Sequence, residues 1–309
     1  MCIRDRIEPI LEKALQGVRI EPSEAVDLFA TKDILLLGNV ASRLTRKKLK
    51  ENKTVTYIVD RNINYTNVCT FKCRFCGFSK GPLSLNLRGT PYMLTLEDIQ
   101  ERVIEAATLG ATEVTLQGGI HPSFDGDYYI DVCKAIQDVV PDMHLHGFTA
   151  LEVIEGAKRL NESLAEYLIR LKEAGLKSLP GTAAEVLDDE VRDILCPDKI
   201  STEEWLECHE AAHSVGLHSN ITIMFGSIEQ PKHWANHIVR TRDVQKRTQG
   251  FTEWIPLPFV HMASPIYLQR QARRGPTFRE TLLMLSLIHI SEPTRRYAIW
   301  YAVLCLKKK

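Results

Sequence analysis

The sequence has no excess of either charge: 39 Lys and Arg balance 39 Asp and Glu. A neutral chain lacks the basic footprint that sequence-independent nucleic-acid binding requires. The basic run over residues 43–53 reads as a solvated helix face, not a binding patch. An apolar signal-peptide core is missing, and no apolar run reaches membrane-spanning length, residues 298–306 included. Internal repeats, low-complexity stretches and linkers are absent too. Hydrophobic residues at 44% and charged residues at 25% exclude disorder, collagen and coiled coil. The expectation is one soluble, cytoplasmic domain with no nucleic-acid or membrane partner. Its 309 residues are a length that single α/β barrels reach.

A second cysteine pair is also lacking. Of eight cysteines, three crowd into one short stretch, Cys69, Cys73 and Cys76, spaced C-x3-C-x2-C. An odd local set cannot be closed by disulfides among its own members, and such a cluster in a cytosolic chain points to metal binding or catalysis. Cys133 lies on the stripe Tyr129, Val132, Ile136, Val140, and Cys208 is in step with Trp205, Ala212 and Val215, so both read as core packing. Cys196 precedes Pro197 and carries no pattern. Iron–sulfur clusters are normally held by four thiolates, so three on one tight loop leave an iron of a [4Fe–4S] cube open to a small molecule. A zinc site completed by a distant Cys or His is the alternative. Phe71 and Phe75 are placed to shield a cluster from water, or to serve as ordinary core aromatics.

Elsewhere strands and helices alternate. Residues 7–52 are helical in pattern, with Pro22 and Ser23 marking a restart, and 54–59 is β-rich. Capping-box starts occur at Thr95/Asp98, Ser163/Glu166 and Ser201/Glu204. Helices are expected over 128–140, 163–174 and 234–246, and from Asp188 and Ser201. Strands are expected over 113–116, 143–145, 176–179, 219–225 and 252–257. This implies βαβ units and a parallel sheet. Segments rich in Gly, Pro, Cys and His follow the strands, at 69–76, 117–121, 144–147, 180–185, 224–226 and 256–259. In parallel α/β folds such loops open on one face, where sites assemble.

Both termini read as foreign. Residues 1–6 (MCIRDR) and 285–309 resemble translated sequencing-adapter sequence, and the helical period lapses after Met284. The expected organisation is an N-terminal helical extension over 7–53 and a core barrel over 54–284 whose end is cut short. Cys2 and Cys305 then fall outside the chemistry.

The triplet with an aromatic before its last cysteine, followed by Gly118-Gly119 one βα unit later, resembles the radical S-adenosylmethionine (SAM) enzymes. The segments 62–67, 117–122, 180–192, 195–199, 223–226 and 250–261 further resemble the tyrosine-using half of FO synthase, over roughly residues 55–284. The resemblance implies a partial (βα) barrel. It implies a [4Fe–4S] cluster on Cys69, Cys73 and Cys76 and SAM beside Gln117, Gly118, Gly119 and Glu185. It further implies an adenosyl radical that cleaves L-tyrosine, the 4-hydroxybenzyl fragment joining 5-amino-6-(D-ribitylamino)uracil. An external electron donor and a second FO synthase subunit are the implied partners. Glu185, Arg192, His121 and His146 are the candidate catalytic residues. Glu185 and Arg192 read equally as surface charges near a helix start, and His121, His144, His146 and His261 as structural hydrogen-bonders. Gly77 stands where the group commonly has Ala, Gly147 replaces an Ala, and Ser227 stands where a His is usual. A futalosine-pathway enzyme of menaquinone synthesis, sharing 62–67 and 117–119, and a non-catalytic iron–sulfur or zinc fragment are the other readings.

Overall fold

A computed structural model describes residues 3–49, 57–81 and 89–291. Three helices open the chain: α1 (Ile3–Leu15), α2 (Pro22–Ala30) and α3 (Ile34–Leu49). Then follow β1 (Asp60–Asn64), α4 (Leu96–Thr108), β2 (Glu113–Gln117), α5 (Gly126–Val139), β3 (His144–Gly147), α6 (Ala150–Leu160), α7 (Leu164–Glu173) and β4 (Leu176–Leu179). The chain continues through α8 (Asp189–Leu195), α9 (Thr202–Ser214), β5 (His218–Phe225), α10 (Pro231–Thr248), β6 (Phe251–Pro258), α11 (Pro265–Leu268) and α12 (Phe278–Ser291).

All six strands are parallel and neighbour one another in chain order. A right-handed crossover repeated in one direction, added to strand twist, curls the sheet into a half-barrel. Alternation along each strand separates the two faces. Val114, Leu116 and Leu145 are fully buried beneath the outer helices, whereas Thr115, Gln117, His146 and Asn220 line the concave face. Serial parallel order thus leaves the polar side chains of the strands facing one shared hollow.

The expected capping boxes start α4, α7 and α9, with Thr95, Ser163 and Ser201 accepting backbone N–H groups. A fourth box, Thr149 with Glu152, starts α6, a helix not anticipated from the sequence. The strand expected over 54–59 is displaced. Residues 54–56 lie outside the described residues, 57–59 are not strand, and β1 is the polar run Asp60–Asn64. Its register pairs Asp60 with Glu113 and Asn64 with Gln117, so pairing and the hollow's polarity override the apolar Tyr57-Ile58-Val59, which stay exposed.

The N-terminal helices pack on the barrel's last helices. α2 lies on α10, with Phe29 and Trp234 rings edge to face at 5.0 Å, and α3 lies along α12. Although the helical period lapses in the sequence after Met284, α12 runs on to Ser291, because Leu287, Ile288 and Ile290 all find buried space. Residues 292–309 lie outside the described residues.

Several histidines are buried in the outer helices. The His209 ring lies tilted against Trp205, centroids 4.0 Å apart, with neither ring nitrogen hydrogen-bonded among the described residues. His237 accepts the Leu187 N–H at 3.0 Å. Burial, then neighbouring His213 and His146, hold His209 well below the usual imidazole value. Burial, then the Arg192 and Arg240 charges, hold His237 down at about 3. Burial, with His218 beside it, holds His213 at about 4. Unfolding lets each ring take a proton near pH 6.5, so the unfolded chain binds more protons throughout this window. Stability is therefore full above pH 6.5 and falls as pH drops toward 4, by up to about 1.4 kcal/mol per pH unit for each histidine. Thermal unfolding across pH 5–7.5 tests this, and His209→Phe, which removes one titrating ring, should lessen the acid loss. A flat profile would contradict it.

Candidate functional site

The cysteine segment leaves the C-terminal end of β1 and crosses the mouth of the half-barrel. Its first anchor is Tyr65, fully buried and ringed by Phe124, Tyr128, Tyr129 and Phe148 at 5.7–6.3 Å. Gly119 donates its N–H to Thr66 O at 3.0 Å, and Thr70 donates to Ile120 O at 3.0 Å. This stitching brings the segment against the turn after β2. A Cβ on Gly118 would lie 2.3 Å from the Tyr65 ring, and one on Gly119 would lie 2.2 Å from Val68 O. Either Cβ would strike the start of the cysteine segment, so this close packing by itself requires glycine at both positions.

Glu152 sits behind that turn, fully buried. Its carboxylate accepts the Tyr65 hydroxyl, the Gly118 N–H at 3.0 Å and the Thr149 N–H at 2.7 Å. Burial pushes its carboxyl up to about 8 against the pull of those backbone donors. One capping residue therefore ties α6, the glycine turn and the start of the cysteine segment together.

The segment's far side docks on the end of α8 and on α11. Arg74 donates its N–H to Leu195 O at 2.8 Å, and Lys72 donates to Asp198 Oδ2 at 2.9 Å. Ile266 N–H reaches Arg74 O at 2.8 Å. Gly77 is also a close approach, since a Cβ there would lie 2.7 Å from Ala263 O. The Ala common at that place would press on the Ala263 backbone here.

Cys69, Cys73 and Cys76 are free thiols on this bridge. Ser79 N–H points at Cys76 Sγ, 3.3 Å away. Burial raises the Cys73 and Cys76 thiols, and the charge of Lys199 pulls both back toward thiolate. Among the described residues, the one set of three ligand atoms within 4.8 Å of each other is Asp188, Glu190 and His233. The three sulfurs do not all lie within that distance of one another. The Asp188 set is already answered from within the protein. Lys232 sits on Glu190 at 2.7 Å, and His233 donates from Nε2 to it because Nδ1 takes the Gln230 N–H.

The other candidates separate. Glu185 is brought to the cysteines: its carboxylate pairs with buried Lys199, whose ammonium lies 5.7 Å from the Phe75 ring centroid. Ala183 and Glu185 have φ of 74° and 45°, a left-handed backbone that side-chain-bearing residues hold only under constraint. Arg192 supplies that constraint. It is buried, and its guanidinium donates to the carbonyls of Ala183, Ala184 and Ile200, so it braces the Glu185 loop and turns away from the mouth.

His146 lies on the concave wall. Asn220 accepts Gly181 N–H through Oδ1 at 2.6 Å, so its amide nitrogen donates to His146 Nε2 at 3.0 Å. His146 must then donate from Nδ1 to Ser178 Oγ, which in turn donates to His144 Nε2, each at 2.7 Å. Burial, then His144, hold His146 down at about 3, so this wall stays neutral. His121 is outside the group, its Nδ1 bound to Ser123 and its ring 4.7 Å from Phe124. Gln117 ends β2, half-buried, with its carbonyl taken by Asn64. Ser227 is buried and donates to Glu229 at 2.8 Å, and Glu229 also gathers the N–H groups of Gly226, Ser227 and Ile228.

Sequence reasoning passed over Tyr65, Glu152, Lys199, Asn220 and Glu229. Only Glu152 had a local signal, the Thr-x-x-Glu spacing of a capping box.

Comparison with known proteins agrees with this arrangement. The radical SAM superfamily pattern matches residues 63–239. A 5-amino-6-(D-ribitylamino)uracil–L-tyrosine 4-hydroxyphenyl transferase of Methanocaldococcus jannaschii is 40% identical over 275 residues, 88% of this chain and 75% of that protein. FO synthase of Streptomyces coelicolor is 45% identical over 293 residues, 93% of this chain. The chain spans about a third of the length of the FO synthases it matches. In fold it is similar to HydG, a maturase of the [FeFe]-hydrogenase, with a TM-score of 0.70 and 17% identity over 95% of this chain and 62% of HydG. Methylornithine synthase (PylB) gives 0.66 and 14% over 92% of this chain and 77% of that enzyme.

If Glu152 ties the glycine turn to the cysteine segment, Glu152→Ala leaves three buried donors unanswered. It should cost about 3 kcal/mol in urea unfolding, from unmet hydrogen bonds plus lost volume. Glu152→Gln, which keeps an acceptor oxygen, should cost less than half as much. Equal unfolding midpoints for Glu152→Ala and the parent chain would refute the linkage.

Proposed function

The chain belongs to the radical SAM superfamily, and from that premise we propose that it is the tyrosine-using transferase of deazaflavin (FO) assembly, on the route to coenzyme F420. In this reading L-tyrosine is cleaved between Cα and Cβ, and the 4-hydroxybenzyl fragment is joined to 5-amino-6-(D-ribitylamino)uracil. The observation that carries the reading is the three-thiol segment fixed across the mouth of a half-barrel, in a chain that covers 75% of the archaeal tyrosine transferase. A futalosine-type substrate is the competing assignment, and the substrate test below separates the two.

Cys69, Cys73 and Cys76 fit a [4Fe–4S] cluster as three free thiols on one short segment beside a buried cation. Such a cluster, with SAM on its open iron and an external electron donor, supplies the adenosyl radical that starts the reaction. The chain's own part is placement and exclusion of water. Phe71 and Phe75 pack against the core beside the thiols, and Ser79 N–H supports the Cys76 sulfur. Gln117 and the glycine turn border the mouth on one side, and Glu185 does so on the other.

Below them the neutral wall of His146, Ser178 and Asn220 offers oriented donors and acceptors to polar substrates without placing a charge near a radical. Holding two reactants at attack distance can contribute roughly 7–11 kcal/mol toward the barrier. Hydrogen abstraction belongs to this half of the synthesis; a second FO synthase subunit would complete the deazaflavin. No helix among the described residues is long and apolar enough to cross a membrane.

Anaerobic reconstitution should give an oxygen-sensitive cluster whose reduced electron paramagnetic resonance (EPR) signal shifts on adding SAM. Replacing Cys69, Cys73 or Cys76 with Ala should abolish it. Cys133→Ala and Cys208→Ala should leave iron content unchanged, both being fully buried in helices. With SAM and a reductant, L-tyrosine should raise 5′-deoxyadenosine formation, while the ribityl uracil should be needed only for the coupled product. Zinc without iron would overturn the reading. A response to dehypoxanthine futalosine in place of tyrosine would transfer the protein to the menaquinone pathway.

A further inference from the structure

Lys199 has no place in the cysteine motif, yet the fold delivers it there. Its side chain is 8% exposed, and Glu185, at 13%, is its ion-pair partner. The ammonium lies 5.7 Å from the ring of Phe75, the residue before Cys76. Two backbone contacts lock this placement. Lys72 N–H on Asp198 and Arg74 N–H on Leu195 clamp the chain on both sides of Cys73 to the segment that carries the lysine. Glu185 is fixed as well, because Met224 donates to its carbonyl at 2.8 Å and Arg192 braces the two residues before it.

A buried ammonium is costly to hold, and burial opposes the charge of Lys199. Glu185, its ion-pair partner, offsets that cost and fixes the ammonium in place. The clamp at Lys72 and Arg74 sets this cation beside the ring that precedes Cys76. A cation fixed there favours any negative charge arriving at the sulfurs.

We propose that Lys199, held in place by Glu185, is a positioning residue that sets the reduction potential of the cluster on Cys69, Cys73 and Cys76. This rests on the cluster assigned under Proposed function. One-electron reduction by the external donor adds one negative charge to the iron–sulfur unit. In a water-poor site, a fixed cation one aromatic ring away stabilises the reduced form more than the oxidised form. Glu185 acts in the opposite sense, so the pair sets the potential between two limits, with the ammonium lying 5.7 Å from the Phe75 ring.

The test is an EPR-monitored redox titration of the reconstituted full chain without SAM. It compares the parent with Lys199→Met, Lys199→Arg and Glu185→Gln, with iron measured in each. Lys199→Met should lower the midpoint by about a tenfold change in the reduction equilibrium, about 59 mV for one electron. Lys199→Arg should restore it, and Glu185→Gln should raise it. A cluster-loaded Lys199→Met protein with an unmoved midpoint would overturn the proposal, as would shifts of Lys199→Met and Glu185→Gln in the same direction. If Lys199→Met takes up no iron, Glu185→Gln decides alone: an upward shift supports the proposal, and no shift or a downward one overturns it. A parent chain that binds no cluster refutes the functional reading itself, whereas a loaded chain with unmoved midpoints refutes this inference alone.

Discussion

Two missing Cβ atoms permit the rest of the site. At Gly118 and Gly119 the turn after β2 comes so close to Tyr65 and Val68 that any side chain would overlap them. Closeness on that side lets the cysteine segment reach α8 and α11 on the other, where Arg74 and Lys72 take backbone and carboxylate partners. Displacing the glycine turn would move the first cysteine away from β2 and release the contacts that hold the second beside Lys199. Packing density makes this an all-or-none arrangement, because close-packed interiors do not yield gradually.

The charge pattern follows from the same closure. Covering the mouth buries Glu152, Glu185 and Lys199, and each buried polar group must find a partner. Glu152 finds two N–H groups and a phenol, while Glu185 and Lys199 find each other. On the concave wall His146, Ser178 and His144 form a neutral chain, with Asn220 dictating the tautomer of His146 and, through Ser178, that of His144. The ion pair thus lies beside the thiols, while the acids of the hollow, Asp60 and Glu113, sit at the strands' opposite ends against Thr115 and His144.

Some of this was legible without a structure. The C-x3-C-x2-C spacing, three capping boxes and the helix–strand alternation are local properties, fixed by chain geometry within a few residues. They singled out the cysteine segment and identified the parallel α/β class and most of the elements. Cys133 and Cys208 were readable as core because helical spacing alone placed them on an apolar face, and both are fully buried. The misplaced first strand and the unforeseen α6 show the limit of such reasoning. Tyr57-Ile58-Val59 has strand composition, but only the Val59 carbonyl reaches the neighbouring chain, accepting Thr112 N–H at 3.0 Å, whereas Asp60–Asn64 has little strand propensity and a full register opposite β2.

What the amino-acid order determined by itself, then, is which residue types occur at which spacing: a thiol triplet, a glycine pair and a series of turn-rich strand ends. Tertiary structure alone decided what those residues face. Gly118 and Gly119 meet the chain's own backbone and ring, and Arg192, read as a possible ligand contact or surface charge, spends its guanidinium on three carbonyls inside the protein. Lys199 arrives beside cysteines more than a hundred residues earlier in the chain. The reason is physical. Spacing constrains neighbours along a helix or strand, but burial and partner choice are set by contacts between segments far apart in sequence, and those exist only once the sheet has curled.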